Sequence, residues 1–172
     1  MNVNAFNGIL SVLSFAALVI GVVLLFPGAR RKFGLELGSG VAWMAFAVAL
    51  VATAGSLVYS EYFGFEPCRL CWYQRIAMYP LVAITAVGAI RRDRNLGWYG
   101  LPLAGIGFAI SVYHYLIQTF PGLSSGACTV GVPCSAKYVN TYGFMSIPFM
   151  AGAGFLAIIS LLITYRSPEE AN

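Results

Sequence analysis

EPCRLCWYQRIAMYP, residues 66 to 80, starts as a cysteine-bearing loop and runs into an apolar helix that keeps one arginine, Arg75, inside it. Similar apolar runs recur on both sides of it. Of the 172 residues, 59% are hydrophobic and only 9% charged, with a mean hydropathy of +0.79, whereas a soluble domain carries about 25% charge. The pattern predicts an all-α integral membrane protein, a single membrane domain over residues 1–172. Its five spans fall at about 5–26, 41–60, 72–90, 97–118 and 144–165. Each is near the roughly 20 residues that cross about 30 Å of hydrocarbon. Arg75 is the only charged residue within them.

The net charge of +4 does not imply nucleic acid, because the basic residues do not gather on one soluble face; they sort by side. Arg30, Arg31 and Lys32 follow the first span, Arg91, Arg92 and Arg94 the third, and Arg166 the fifth. The alternate connections hold Arg69, Arg75 and Lys137. Seven against three fits the positive-inside rule, so the amino terminus is expected outside and the carboxyl terminus in the cytoplasm. The loops at 61–71 and 119–143 are then expected outside. The first span lacks a basic n-region, and its apolar run exceeds that of a secretory signal, so it reads as a retained helix. The remaining connections, PGARRKFGLELGSG among them, are short and read as loops without a domain of their own. Lys137 to Met145 is too short for its periodicity to fix a conformation.

All four cysteines, Cys68, Cys71, Cys128 and Cys134, fall in the two outward loops. Outside the cytoplasm such thiols persist as disulfides. Three readings compete: inert staples, a four-cysteine zinc site, and two pairs that exchange oxidation state. Ring size favours exchange. In the chain-entropy model a ring of seven residues stabilises by about 2.4 kcal/mol and one of four by about 1.9, against about 3 for fifteen. An exposed disulfide in a tight loop such as TVGVP, between Cys128 and Cys134, is the labile kind. No metal is expected.

If the third helix starts near Cys71, Arg75 lies one turn inside it, about 6 Å deeper and close to the same face. A neighbouring cation and a helix amino terminus both favour thiolate, here at Cys71; the simpler alternative is an arginine snorkelling to lipid phosphate. His114, the only histidine, sits at the outward end of the fourth helix at a depth expected to match Arg75. The two could bracket a polar head group arriving from the membrane, walled by Met78, Tyr79, Tyr113 and Tyr115. Alternatively His114 makes an interhelical hydrogen bond and no more. A lipid-soluble quinone suits the first reading, because it accepts two electrons from a dithiol and leaves within the bilayer.

In PCRLCWYQRIAMYP, YHYLIQTFPG and GVPCSAKYVNTYGFMSIPF the chain resembles the DsbB/BdbC family of disulfide-generating membrane oxidoreductases, most closely the BdbC branch. The resemblance covers about residues 56 to 165. It implies a four-helix transmembrane bundle, to which the N-terminal span is an addition, in a prokaryotic cell membrane. It also implies that Cys128 and Cys134 form the disulfide offered to a DsbA-like, thioredoxin-fold partner on the outer side, with Cys128 attacked first. Cys134 then attacks Cys68, and Cys71 is released beside a quinone, ubiquinone or menaquinone, held by Arg75 and His114. A competing class is a non-enzymatic membrane scaffold or transporter whose disulfides brace its outward loops. A reductive electron relay is a third, but it needs cysteines within the bilayer, and these lie in loops.

Overall fold

The computed structural model describes residues 2–120, 122, 128 and 132–166. Six α-helices account for most of them: α1 (Val3–Leu25), α2 (Pro27–Leu37), α3 (Gly40–Leu57), α4 (Arg69–Arg91), α5 (Leu96–Thr119) and α6 (Ile147–Arg166). The end of α3 loosens into a π turn at Val58–Tyr62. Among the described residues the only β pairing is the isolated Thr141–Met145 bridge, closed by a turn in which Tyr142 and Gly143 take φ of 56° and 81°. That turn is the form adopted within Lys137 to Met145.

Among the described residues four stretches are long and apolar enough to cross a membrane: Val3–Leu25, Gly40–Tyr62, Leu96–Thr119 and Ile147–Tyr165. The third expected span, α4, has the length, 23 residues, but Arg69, Gln74 and Arg75 dilute its apolarity. It nevertheless runs antiparallel along α5 from end to end. Cys68 at its start meets His114, Gln74 bonds Ser111 midway, and Gly88 near its end faces the Leu96 side chain.

Helices α3, α4, α5 and α6 close a ring in which each packs on the next and α6 returns to α3. Glycines set the closest approaches. A Cβ on Gly107 would overlap the Phe155 ring, and one on Gly100 would come within 2.7 Å of the Leu162 side chain, so large α6 side chains seat directly on the bare α5 backbone. The core of the ring is Leu81, Leu96, Phe155, Ile158 and Leu162, all fully buried. Helix α1 lies outside the ring against α6. There a Cβ on Gly21 would come within 3.2 Å of the Ala157 backbone nitrogen, and Ser160 Oγ donates to the Gly21 carbonyl at 2.9 Å.

The segment PGARRKF, expected as a loop, is instead helical. Pro27 supplies the fixed φ of a first helical turn, and Gly38 ends the helix at a positive φ of 48°, which glycine adopts without steric cost. Gly34 of α2 sits against Thr164, which brings the basic cluster Arg30, Arg31 and Lys32 to the same end of the ring as Arg91, Arg92 and Arg94.

Candidate functional site

The start of α4 builds the first cysteine pair. Cys68 is the N-cap, with extended backbone, and its sulfur accepts the Cys71 N–H at 3.4 Å, as an N-cap side chain does for the orphan amides of the first turn. This brings the two sulfurs 2.9 Å apart as free thiols. Across from them, Cys128 and Cys134 form a disulfide. Cys134 is buried against Cys68, Leu70 and Ile117, whereas Cys128 is only half-buried. The second pair thus presents one sulfur inward and one toward the surface.

His114, fully buried, joins the two pairs. Its Nε2 lies 3.1 Å from the Cys134 carbonyl and 3.6 Å from Cys68 Sγ. A carbonyl can only accept, so Nε2 carries the hydrogen and shares it with the sulfur. The Cys71 thiol, donating to Cys68, is the main cause that holds Cys68 well below the ordinary thiol range; burial opposes it, and the His114 hydrogen bond and charge add to the lowering. The N-cap sulfur is thus the one at which the neighbouring donors converge. Gln118 fixes the second loop further, donating from Nε2 to the Ala136 carbonyl at 3.0 Å.

Arg75 is one turn below Cys71 as expected, but it turns away from α5. Its Nε donates to Ser56 Oγ and its Nη2 to the Ser56 carbonyl, each at 2.9 Å. Its guanidinium lies 5.3 Å from the centre of the Trp72 ring, within cation–π range. The side chain is 9% exposed. Ser56 precedes the π turn, a distortion that often marks functional sites. Neighbouring Gln74 is the residue that reaches α5, donating to Ser111 Oγ at 3.0 Å.

A cavity of about 290 Å³ opens between α1, α3, α4 and α6. Its walls are mostly apolar, and Cys71, Gln74, Arg75 and Ser56 border it, the composition expected of a small-molecule site. Met78 and Tyr79 line it as expected; Tyr113, Tyr115 and His114 do not. His114 instead borders a second, much smaller pocket with Cys68, Gln118 and Pro133. Cys71 is the one cysteine that borders both. Arg75 and His114 are thus placed on opposite sides of the Cys68–Cys71 pair, one toward the cavity and the other toward the second loop.

The sulfurs of Cys68 and Cys71 and a ring nitrogen of His114 all lie within 4.8 Å of one another, a donor set that a soft metal could use.

Fold and sites together define a helical membrane protein organised around two thiol–disulfide pairs. The chain belongs to the DsbB family: residues 38–165 match the family model described as "Disulfide bond formation protein DsbB". It is 49% identical over 129 residues to "Disulfide bond formation protein C" of Bacillus subtilis, covering 74% of this chain and 94% of that protein. It is 53% identical over 127 residues to a "Probable disulfide formation protein" of Oceanobacillus iheyensis, covering 72% and 88%. A "Probable disulfide formation protein C 2" of Bacillus anthracis is 46% identical over 129 residues, covering 75% and 92%. No solved structure matches. The chain is accordingly a multi-pass membrane protein of a disulfide-forming oxidoreductase family.

Proposed function

We propose that this protein makes disulfides de novo, reoxidising a DsbA-like thioredoxin-fold partner on the outer side of a prokaryotic cell membrane and passing the electrons to a membrane quinone. The observation that carries the reading is the placement of Cys71 between the cysteine loops and an apolar cavity bordered by Arg75. The cavity suits such an acceptor: its walls are apolar, and a buried arginine and a cysteine stand together on its border. Of the five N–H groups of a guanidinium, Ser56 takes two, which leaves donors on Arg75 for a quinone oxygen. When bound, ubiquinone or menaquinone supplies a sink for two electrons and two protons.

The residues divide the work by exposure. A partner thiolate attacks Cys128, the outward sulfur, and the Cys128–Cys134 bond breaks with Cys134 leaving as thiolate. Cys134 attacks Cys68 of the oxidised first pair, and Cys71 leaves as thiolate on the cavity side. The partner's second thiolate then displaces Cys128 and closes the partner's disulfide. Cys128 attacks Cys134, the second disulfide re-forms, and Cys68 leaves as a thiolate stabilised by its neighbours. Two electrons then leave through Cys71 as the Cys68–Cys71 bond closes. Gathering of the basic residues at the end of the ring opposite the cysteines supports an outer amino terminus and a cytoplasmic carboxyl terminus.

The test is reconstitution of the purified protein with quinone and a reduced thioredoxin-fold oxidase, following quinone reduction together with thiol trapping. Cys71→Ser is expected to stop quinone reduction while the partner still forms a mixed disulfide with Cys128. Quinone reduction that survives Cys71→Ser refutes the mechanism.

A further inference from the structure

Helix α1 lies outside residues 38–165, the part shared with the family, and the relatives are covered over 88–94% of their own length against 72–75% of this chain. The helix is therefore an addition to a bundle that is already closed. Its position is specific. Gly21 and Leu24, in its second half, are buried, with Gly21 pressed on α6. At its amino end Leu10 meets Gly55 of α3, at 3.1 Å from the place of a Cβ, and Asn7 Oδ1 accepts from Tyr59 Oη at 2.8 Å. Gly55 adjoins Ser56, the anchor of Arg75, so this upper contact is at the level of the guanidinium. Between the two contacts α1 and α3 do not fill the space between them. Leu10, Leu13, Ser14 and Ala17, spaced as one face of a helix, border the same cavity as Cys71 and Arg75.

Resting on the quinone reading above, we propose that α1 is a specificity wall: it covers the seam between α3 and α6, and Leu13, Ser14 and Ala17 set the size of quinone that this protein admits beside Arg75. Small side chains ordinarily let membrane helices close on one another. Here Ser14 and Ala17 of α1 and Ala47 and Ala52 of α3 border about 290 Å³ of space instead, a volume that dispersion forces favour filling. Without α1 the same seam would face lipid directly, and the acceptor would be held by α3, α4 and α6 alone.

Photolabelling of the intact wild-type protein with an azido-quinone, followed by peptide mass spectrometry, tests this without any substitution. Adducts are expected on α1 between residues 10 and 17 and on α4 near Arg75. Adducts on α4 with none on α1 overturn the wall and leave the acceptor site standing. Absence of adducts on α4 overturns the acceptor site itself. In parallel, Ala17→Phe, which narrows the cavity from a helix that carries no cysteine, is expected to weaken quinone binding, read by fluorescence titration, by about tenfold, equivalent to roughly 1.4 kcal/mol. Mixed-disulfide formation with the partner is expected to stay at the wild-type rate. Unchanged quinone affinity in Ala17→Phe overturns the assignment of selectivity to α1.

Discussion

Removing the Nε2 donor of His114 should raise the thiol pKa of Cys68. His114→Leu takes away the hydrogen that the ring shares between Cys68 Sγ at 3.6 Å and the Cys134 carbonyl at 3.1 Å, while His114→Gln keeps an N–H donor near the same place. A hydrogen bond to a charged group is worth about 1.5–3 kcal/mol, or roughly 1–2 pKa units at 1.36 kcal/mol each. The sign follows from the folded state. Cys68 is depressed, so its thiolate stabilises the reduced pair at pH values above the lowered pKa, and that stabilisation is lost as the pH falls through it. Losing part of the depression destabilises the reduced pair at neutral pH. The Cys68–Cys71 couple then becomes less oxidising by about 30–60 mV, at about 30 mV per 1.4 kcal/mol for two electrons. The assay is ultraviolet thiolate absorbance against pH in a Cys128→Ser, Cys134→Ser background, which leaves only the first pair to titrate and retains the residue-134 carbonyl. A Leu variant with the wild-type titration, or a Gln variant no closer to wild type than Leu, would show that His114 does not act on the sulfur.

Three further outcomes follow from the geometry. Ser56→Ala removes the Oγ acceptor of Arg75 Nε and should cost about 1–3 kcal/mol of stability by thermal unfolding in detergent, with a raised KM for quinone and unchanged thiol exchange; a raised KM for the partner instead would place Arg75 on the wrong side of the pair. A partner stripped of its second thiol should accumulate as an adduct on Cys128 on non-reducing gels, with Cys134 released as thiolate, and an adduct mapped to Cys134, which is 1% exposed, would refute the order of attack. Gly107→Ala drives a methyl group into the Phe155 ring and should destabilise by about 1–3 kcal/mol, the usual range for overpacking; Phe155→Leu in the same chain should recover part of the loss if the clash is the cause.

Four of the five expected spans and the position of Arg75 one turn into α4 are legible in the residues, because hydropathy and helical rise determine them. The partner of Arg75 was not. On α4, Gln74 and Arg75 differ by one residue, about 100° of rotation, and that step sends the amide to Ser111 of α5 and the guanidinium to Ser56 of α3. Which of two adjacent polar residues faces which neighbour is settled by how the whole ring packs, and nothing local to EPCRLCWYQRIAMYP encodes it. The cavity was missed for the same reason, since its walls come from four helices far apart in sequence. Position along α5 puts His114 at the cysteine end of the bundle, but depth does not distinguish the cavity side of the cysteines from the loop side. Helix α2 was hidden by its own punctuation: Pro27 and Gly38 bracket a loop as readily as they cap a helix.

The position of Cys71 on the border of two pockets has a consequence for leakage. In the proposed cycle charge crosses from the aqueous side to the oily side as a bond that changes partners, and no molecule has to make the journey. The oxidant stays dissolved in the bilayer and the substrate stays in water, separated by a partition two sulfur atoms thick. Small thiols in the surrounding medium meet a buried Cys134 and a buried Cys68 before they can reach it. A thiol gains access only by opening the second disulfide from its outward end at Cys128, so the burial of Cys134 and Cys68 restricts the circuit to a single point of entry.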